Sequence, residues 1–385
     1  MRPAVSRRLS GFGTTIFTEI TELAIKHGAV NLAQGFPDFD GPPFVKDAAI
    51  AAIREGRGQY ARMTGTPDLH FSLAAKYRLG YGLDYEADKE FTVTSGATEA
   101  IFASIQGISN AGDEILLFEP YYDSYPAAIA MAGAVARYVT LRAPDWGFDR
   151  NAFEKAVTKK TRAILLNTPH NPTGKVFSRE ELAFVAEICR KKDLICITDE
   201  VYEHLVYDGE HVPMAKLPGM KERTITISSF GKTFSLTGWK IGWAAAPAKL
   251  SAAVRAAHQF ITFATATPLQ HGAAVALATS SDYYEMLNAS YRRRRDYLVR
   301  ELTRIGFGVR PPAGTYYVCA DFTPFGFKDD VTFCRHLVEK VGVAAIPPSA
   351  FYKNKKYGKK YARFAFCKKE ETLETAVARL KQLCV

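Results

Sequence analysis

The sequence predicts an α/β protein with a large domain on a mostly parallel, doubly wound sheet and a smaller α+β domain. The N-terminal segment and the C-terminal third form the smaller domain. Three observations predict this fold. Short apolar runs alternate with helical patterns through the middle of the chain, these runs are apolar on both faces, and the pattern changes near residue 275. Strands that are apolar on both faces are typical of parallel sheets covered by helices.

Six apolar runs predict the strands of the large sheet. They are EFTVTSG (90–96), DEILLFEP (113–120), RAILLNTPH (162–170), DLICITDE (193–200), RTITISSF (223–230) and KIGWAAAP (240–247). Helical patterns lie between them, most clearly at 179–192. There Ser178 and Glu181 match a capping box, and one face carries Leu182, Val185, Ala186 and Cys189. The alternation of strands and helices predicts the doubly wound core.

The smaller domain is predicted from the C-terminal third. Helices rich in Arg and Tyr are followed there by the short runs GTYYVCADF (314–322), VGVAAIPPS (341–349) and YARFAFC (361–367). The first forty residues have no strand partner in the large sheet, so we expect them to pack on this C-terminal part. The predicted organisation is an N-terminal segment at 1–40, a large domain at 41–275 and a small domain at 276–385.

Composition excludes several classes of protein. The 385 residues are 47% apolar and 23% charged, as in a globular protein with a sizeable core, and no run is long enough to cross a bilayer. The basic start MRPAVSRRLS lacks the apolar stretch of a secretory signal, and a transit peptide would have to end before Phe17. The six cysteines show no CxxC or Cys/His spacing, so we expect no metal site, no disulfide framework and a cytoplasmic location.

The net charge of +10 is spread along the chain. Its densest run, YRRRRDYLVREL (291–302), predicts a helix with its charges outward and with Tyr291, Leu298 and Leu302 on the inner face. Charge alone would suit nucleic acid, but no aromatic-basic platform or zinc-finger spacing accompanies it. We therefore expect acidic small molecules as partners, with no nucleic acid and no membrane.

Polar residues follow each core strand. SGAT follows the first strand, EPYY the second, NTPHNPTG the third, DEVY the fourth and SSFGK the fifth. Because the carboxyl ends of parallel strands meet at one edge of an open sheet, these residues should face one crevice. Each motif alone has an ordinary structural explanation, such as a helix cap or a turn. Their shared location predicts a binding site.

The stretch TISSFGKTFSLTGWKIGW (226–243) places Lys232 and Lys240 among glycines, hydroxyls and aromatics. A buried ammonium is costly unless it has a partner. A crevice with these two lysines, the carboxylate of Asp199, the phenol of Tyr202 and a small-residue helix start suits a ligand that combines phosphate, an aromatic nitrogen and a carbonyl. Pyridoxal 5'-phosphate has all three groups.

These motifs resemble the class I (fold-type I) pyridoxal-phosphate-dependent aminotransferases, and most of all the branch that includes kynurenine aminotransferase, glutamine transaminase and cysteine-conjugate β-lyase. The resemblance extends from about residue 16 to 370. The strings that carry it are NLAQGFPDFDGPP, GQYARMTGTPDL, VTSGATEAIF, NTPHNPTGKVFSREEL, CITDEVYEHLVYDG, SSFGKTFSLTGWKIGW and RFAFCK. Such a family member would transfer amino groups between an L-amino acid and a 2-oxo acid by a ping-pong mechanism.

The resemblance implies roles around the cofactor ring. Lys232 would form the internal aldimine and carry the proton during catalysis. Asp199 would keep the pyridine nitrogen protonated. Asn171 and Tyr202 would hydrogen-bond the phenolic oxygen, and Tyr122 would stack on the ring.

The resemblance also implies how the phosphate and the substrate are held. The phosphate contacts would be Gly96, Ala97, Thr98, Ser229 and Lys240, with Tyr60 reaching in from a second subunit of a homodimer. Arg363 would bind the substrate carboxylate bidentately, and the other substrate contacts would be Asn171, Gly35, Phe17 and Phe36. The spacing of the motif alone does not decide which lysine has which role.

Three positions depart from the usual family pattern. Lys240 stands where many relatives have Arg, so the phosphate would meet a point charge instead of a fork. His70 stands where Arg is common, which leaves that contact open. Phe17 and the lack of an obvious second cation argue against aspartate as the donor, and favour an aromatic, sulfur-containing, kynurenine-like or glutamine-like one.

Other functions stay open at this point. A β-lyase acting on cysteine conjugates would use the same cofactor and lysine. A non-catalytic amine-sensing regulator would need an attached DNA-binding domain, but only ten residues precede GFGTTIF. A dinucleotide-dependent oxidoreductase would need GxGxxG after a strand, and none occurs.

Overall fold

The computed structural model describes residues 4–384. Its strands are β1 (Val30–Asn31), β2 (Phe91–Ser95), β3 (Glu114–Glu119), β4 (Val135–Thr140), β5 (Thr161–Asn167), β6 (Ile195–Asp199), β7 (Thr224–Ser229), β8 (Ile241–Ala245), β9 (Gly308–Val309), β10 (Tyr317–Asp321), β11 (Val343–Ala344) and β12 (Tyr361–Ala365).

Fourteen α-helices lie between and beside these strands within the described residues. They are α1 (Ile16–His27), α2 (Pro43–Arg54), α3 (Pro67–Tyr81), α4 (Ala87–Glu90), α5 (Gly96–Ile108), α6 (Ser124–Met131), α7 (Arg150–Ala156), α8 (Arg179–Lys192), α9 (Phe230–Thr233), α10 (Ala248–Ile261), α11 (Thr267–Leu277), α12 (Ser281–Ile305), α13 (Asp330–His336) and α14 (Glu370–Leu380). Across residues 4–384 we find no helix with the length and apolar character that a bilayer crossing requires.

The large sheet has the strand order β2-β8-β7-β6-β5-β3-β4 and is mostly parallel, which confirms the predicted fold class. All six predicted strands form. Two features of the sheet differ from the prediction. The strand β4 is an additional, partly exposed edge strand, and β8 runs antiparallel to both of its neighbours. Only residues 230–240 connect β7 to β8, whereas a parallel crossover takes about a dozen residues or more.

The reversed direction of β8 positions the second lysine of the motif. The strands β2, β3, β5, β6 and β7 all end at the same edge of the sheet, and β8 begins there. Lys240 immediately precedes β8, so it lies at the edge where Ser95, Asp199 and Ser229 end their strands.

Alternate residues of the central strands enter two different cores. On β5, Ala163 and Leu165 pack with α5, α6 and α10, while Ile164 and Leu166 pack with α7 and α8. The predicted capping box at Ser178 and Glu181 starts α8. The sheet is therefore covered on both faces, and its carboxyl edge is left to form a site.

A separate core joins both ends of the chain. β1 pairs in parallel with β11, Val30 opposite Val343, and Ile20 and Ala24 of α1 pack among residues of α12, α13 and α14. β10 pairs antiparallel with β12 and β9. The domain boundaries at 40 and 275 stay a prediction.

The long helix α12 differs in one respect from the expected pattern. Tyr291, Leu298 and Leu302 are fully buried, as predicted. Arg295 is also buried, because it lies on the same stripe, four residues after Tyr291. Its guanidinium donates to Asp208 Oδ2 at 2.5 Å and to the Pro312 carbonyl at 3.1 Å, so the predicted outward orientation of the charges is wrong for this residue.

Candidate active site

A cavity of about 300 Å³ opens at the carboxyl edge of the large sheet. All predicted site residues except Tyr60 and Arg363 line it. They are Phe17, Gly35, Phe36, Gly96, Ala97, Thr98, Tyr122, Asn171, Asp199, Tyr202, Ser229, Lys232 and Lys240. The cavity therefore joins residues from the N-terminal segment with residues that follow β2, β3, β5, β6 and β7.

Lys232 projects into this cavity from α9, the short helix after β7. Its ammonium donates to the Gly35 carbonyl at 3.5 Å and lies 5.8 Å from the centre of the Tyr202 ring. Burial lowers the pKa of Lys232 to about 8, and the charges of Lys240 and Arg363 act in the same direction. A lysine with this pKa is partly an uncharged amine near neutral pH, which is the nucleophilic form.

Asp199 ends β6 and is buried at the cavity wall. Tyr125 Oη donates to its Oδ2 at 2.6 Å, and the Val201 amide donates to its Oδ1 at 3.3 Å. Burial raises the pKa of Asp199 to about 6, although the Tyr125 hydrogen bond and the charge of Lys232 lower it. A buried carboxylate of this kind suits a cationic partner that compensates for its desolvation.

The start of α5 forms a cradle of backbone donors. Gly96 has a φ of +75°, which glycine adopts without strain, and the first turn continues through Ala97 and Thr98. A Cβ on Gly242 would lie 2.5 Å from the Gly96 carbonyl carbon and 2.6 Å from the Ala97 nitrogen. Gly242 thus lets β8 pass close beneath the cradle.

Lys240 brings a positive charge to the same place. Its Nζ lies 3.1 Å from where a Cβ on Gly96 would be, and it has no ion-pair partner within residues 4–384. A helix N-terminus is itself electropositive, so an ammonium beside it is unfavourable unless an anion lies between them. With the hydroxyl of Ser229 nearby on the cavity wall, these groups fit a phosphate.

Arg363 is fully buried on β12, behind the cavity-lining residues Asn171 and Tyr317. Its guanidinium donates to Asn171 Oδ1 at 3.0 Å and to the Ala33 carbonyl at 2.8 Å, and it lies 4.1 Å from the centre of the Tyr317 ring. Its Nε has no hydrogen-bond partner in the part of the chain that the structure describes. Because it is a buried cation that pairs with no carboxylate among the described residues, Arg363 is suited to bind an incoming one.

The contact with Arg363 also orients Asn171. Since a guanidinium only donates, the side-chain oxygen of Asn171 faces Arg363, and its NH₂ group is left to donate elsewhere. Asn167 fixes the backbone here, because its Oδ1 accepts from the Asn171 amide at 2.7 Å.

Gly35 closes the cavity from the N-terminal side. Its carbonyl accepts from Tyr316 Oη at 2.7 Å, and a Cβ at this position would lie 1.7 Å from Tyr317 Oη. Only glycine fits between this segment and the tyrosines of the C-terminal part.

Tyr60 lies outside the cavity. Its side chain is 85% exposed, and its ring meets Phe263 edge to face at a centroid distance of 5.6 Å. Within this single chain, therefore, Tyr60 does not join the other predicted phosphate contacts.

Several residues of the site are absent from the sequence-based prediction. Tyr125 follows Tyr122 by one helical turn, and Asn167 ends β5 beside Asp199 on β6, so the strand-end pattern that identified Asp199 applies to Asn167 as well. Gln34, Tyr316 and Tyr317 carry no local signal, because they approach the cavity only through the packing of both chain ends.

The residues present fit pyridoxal 5'-phosphate. A phosphate fits between the α5 cradle and Lys240, a protonated pyridine nitrogen fits against Asp199, and an aldehyde fits beside the amine of Lys232. The family model for aminotransferase classes I and II matches residues 27–380. The chain is a class I and II aminotransferase. This family depends on pyridoxal 5'-phosphate, which is the cofactor of this aminotransferase.

Curated relatives cover almost the whole aminotransferase. A probable N-succinyldiaminopimelate aminotransferase of Mycobacterium tuberculosis is 49% identical, over 98% of each chain. The methionine aminotransferase of Escherichia coli is 40% identical, over 98% of this chain and 97% of the relative. A kynurenine–oxoglutarate transaminase of Dictyostelium discoideum is 39% identical, over 98% of this chain and 96% of the relative.

Solved structures agree with these relationships. The N-succinyldiaminopimelate aminotransferase from M. tuberculosis superimposes with a TM-score of 0.96, covering 99% of this aminotransferase and 100% of that chain. The E. coli methionine aminotransferase superimposes with a TM-score of 0.95, again covering 99% and 100%.

Proposed function

We propose that this aminotransferase transfers the amino group of an L-amino acid with a neutral side chain to a 2-oxo acid, by a ping-pong mechanism at Lys232. The donor would be aromatic, sulfur-containing, kynurenine-like or glutamine-like. The observation that carries the proposal is the convergence of Lys232, Asp199, Lys240 and the α5 cradle in one cavity, with Arg363 hydrogen-bonded to Asn171 of the cavity wall.

Asp199 and its neighbours would hold the cofactor ring. When bound, pyridoxal phosphate supplies an electron sink for the bonds at the substrate Cα. Asp199 would pair with the protonated ring nitrogen, and Tyr125 would keep the carboxylate ionised. Asn171 and Tyr202 would donate to the phenolic oxygen, while Tyr122 would pack on the ring face.

Lys232 would act as covalent anchor and as proton carrier. Its lowered pKa means that part of the population is an uncharged amine near neutral pH, able to accept a proton from the substrate Cα. Its Nζ lies within reach of the Gly35 carbonyl, which orients the amine inside the cavity.

Arg363 would bind the α-carboxylate of every substrate. Its contacts to Asn171 and to the Ala33 carbonyl fix the guanidinium plane, and its Nε has no hydrogen-bond partner among residues 4–384. A fixed fork loses little side-chain entropy on binding, which favours bidentate recognition.

The lining of the cavity favours a neutral donor side chain. Its charged members are Asp199, Lys232 and Lys240, all of which have a role toward the cofactor. Phe17, Phe36 and Tyr317 supply aromatic surface, and Gln34 supplies an amide. These residues suit aromatic, thioether and amide side chains.

N-succinyldiaminopimelate is a second candidate donor. The 49% identity to a relative of that name favours it. Such a donor carries further carboxylates, which would need cations beyond Arg363, and no other free cation lines the cavity within the described residues.

A β-lyase that acts on cysteine conjugates is the alternative function, and it would use the same Lys232.

A donor panel tests the proposal. Purified enzyme loaded with pyridoxal phosphate is mixed with methionine, phenylalanine, kynurenine, glutamine, aspartate and N-succinyldiaminopimelate, and the loss of the visible absorbance band is followed. Fast loss of the band with neutral donors supports the proposal. Fast loss with N-succinyldiaminopimelate alone would overturn the proposal and would favour the second candidate donor. Release of pyruvate and ammonia from a cysteine conjugate without any 2-oxo acid identifies lyase activity.

We also propose a homodimer in which Tyr60 reaches the phosphate of the partner subunit. Tyr60 is exposed and packs against the exposed ring of Phe263, and Phe260 and Ile261, which shortly precede Phe263 in the chain, are exposed as well. Sedimentation of the holoenzyme tests the dimer.

We also propose a cytoplasmic location, because the five cysteines whose side chains are described are free and buried.

A further inference from the structure

The segment 57–66, which carries Tyr60, is held by side chains from other elements. Three of these contacts reach backbone carbonyls near Tyr60 and leave its side chain exposed. They are Thr267 Oγ1 to the Gln59 carbonyl at 2.7 Å, His258 Nε2 to the Met63 carbonyl at 2.9 Å and His70 Nε2 to the Thr64 carbonyl at 2.8 Å. His70, which departs from the family pattern, therefore has a definite contact here.

His258 differs from the other two because it has a second partner. Its Nδ1 lies 2.6 Å from Glu99 Oε1, and the other oxygen of Glu99 accepts from the Ser95 amide. Ser95 directly precedes the cradle at Gly96. A continuous hydrogen-bonded path therefore links the start of the cradle, through Glu99 and His258, to the Met63 carbonyl.

The partners determine the direction of these hydrogen bonds. The Met63 carbonyl can only accept, and a carboxylate at Glu99 can only accept as well. Nε2 of His258 therefore donates to Met63, and the hydrogen bond between Nδ1 and Glu99 fixes the orientation of the ring. His258 is fully buried and Glu99 is 8% exposed, so water does not compete for this pair.

The residue that contacts the Tyr60 ring lies just after the end of α10. Phe263 follows the end of α10 with a φ of +68°, and its ring packs edge to face on Tyr60. α10 packs against α5, the helix that begins at the cradle. Thus His258 of α10 contacts the backbone of the segment, and Phe263, two residues after the helix, contacts the Tyr60 ring.

We propose that His258, oriented by Glu99, is a positioning residue that holds Tyr60 where it can reach the phosphate in the partner subunit. Each cradle is thereby joined rigidly to the tyrosine that serves the other site of the dimer. This inference rests on the proposed homodimer and extends it, because it assigns the residues that connect the two sites.

Two substitutions of His258 separate its two contacts. The amide of Asn reaches the position of Nδ1, so His258→Asn keeps the Glu99 contact and loses the Met63 contact. The amide of Gln reaches the position of Nε2, so His258→Gln keeps the Met63 contact. A third variant, Glu99→Gln, can retain the whole path, because its NH₂ group donates to a neutral ring that still donates to Met63.

The first readout is hydrogen exchange of peptides covering 57–66 in the full-length holoenzyme. We expect about tenfold faster exchange in His258→Asn, since one buried hydrogen bond is lost. His258→Gln and Glu99→Gln should stay within about twofold of the unmodified enzyme. Equal exchange in His258→Asn and His258→Gln would overturn the proposal, because the Met63 contact would then have no effect.

The second readout is the rate at which pyridoxal phosphate leaves the holoenzyme. We expect Tyr60→Phe and His258→Asn each to raise it about tenfold, and the double variant to release no faster than Tyr60→Phe alone. Additive effects would show that His258 does not act through Tyr60, which overturns the inference. An unchanged rate in Tyr60→Phe would instead overturn the proposed dimer role of Tyr60, so the two failures are distinguishable.

Discussion

Tyr125 donates a hydrogen bond of 2.6 Å to Oδ2 of Asp199, and both side chains are buried. This bond is a side-chain contact that favours the ionised carboxylate, in opposition to burial, which raises its pKa to about 6. The proposed pairing with a protonated pyridine nitrogen needs the ionised form, so we expect Tyr125 to extend to lower pH the range in which the site binds its cofactor.

Tyr125→Phe should move this pH range upward. The Asp199 carboxyl is ionised above about pH 6 and protonated below it, so cofactor affinity of the apoenzyme should fall as pH falls through about 6. Without the donated hydrogen bond, the pKa rises further, and the fall should occur about one unit higher. Titration of apoenzyme with pyridoxal phosphate across this pH range measures the shift. Identical profiles for both enzymes would mean that another group controls binding.

Lys232→Ala should abolish turnover, because it removes both the covalent anchor and the proton carrier. Proton transfer alone contributes about 10²- to 10⁴-fold. Lys240→Ala is the matched control, since it removes a lysine eight positions away that is proposed to contact only phosphate. It should weaken cofactor affinity but retain turnover at saturating cofactor. Steady-state assays over a range of cofactor concentrations separate the two, and the reverse pattern would exchange the roles of the lysines.

Gly242→Ala should damage the phosphate cradle. Its Cβ would meet the backbone of Gly96 and Ala97 at 2.5 and 2.6 Å, and backbone atoms cannot move aside as a flexible side chain does. We expect cofactor affinity to fall by about tenfold or more, which corresponds to the overpacking cost of about 1–3 kcal/mol.

Gly238→Ala is the control for this substitution. Gly238 lies two residues before Lys240, as Gly242 lies two residues after it, but a Cβ there meets nothing within 4 Å. Its cofactor affinity should match that of the unmodified enzyme. Equal losses in both variants would show that flexibility around Lys240, and not the close approach of β8, matters for binding.

Arg363→Lys should raise KM for every amino-acid donor alike. The charge remains, but the planar fork that Asn171 and the Ala33 carbonyl hold in place is lost. The loss of one or two charge-assisted hydrogen bonds predicts a fall in kcat/KM of about 10²-fold. Phe36→Leu, on the side-chain part of the cavity, should instead change the ranking of donors. An effect of Arg363→Lys on a single donor would mean that Arg363 recognises a side chain.

The strand ends were predictable because their signals are local. Asp199 follows a continuous apolar run, and a polar residue at that point must lie at the carboxyl edge of a parallel sheet. The same logic placed Asn171, Tyr202 and Lys232 near one crevice, where they line one cavity. Strand β4 escaped prediction because it is not a continuous apolar run like the central strands: Val135 and Arg137 are exposed and only Val139 is buried.

Contacts between distant parts of the chain were not predictable in this way. Arg363 and Asn171 are 192 residues apart, and only the pairing of β12 with β10 brings the guanidinium to the amide. The direction of β8, which turns Lys240 toward Gly96, and the path from Glu99 through His258 to Met63 likewise depend on packing.

The sequence by itself determined the α/β class, the strand ends and the chemistry of the cofactor site, because strand patterns and the residues that follow them are short-range features of the chain. The tertiary structure decided the orientation of four side chains, those of Lys240, Arg363, Tyr316 and His258. Their orientation depends on side-chain packing and hydrogen bonds between segments far apart in the chain, and no periodicity in the sequence records those contacts.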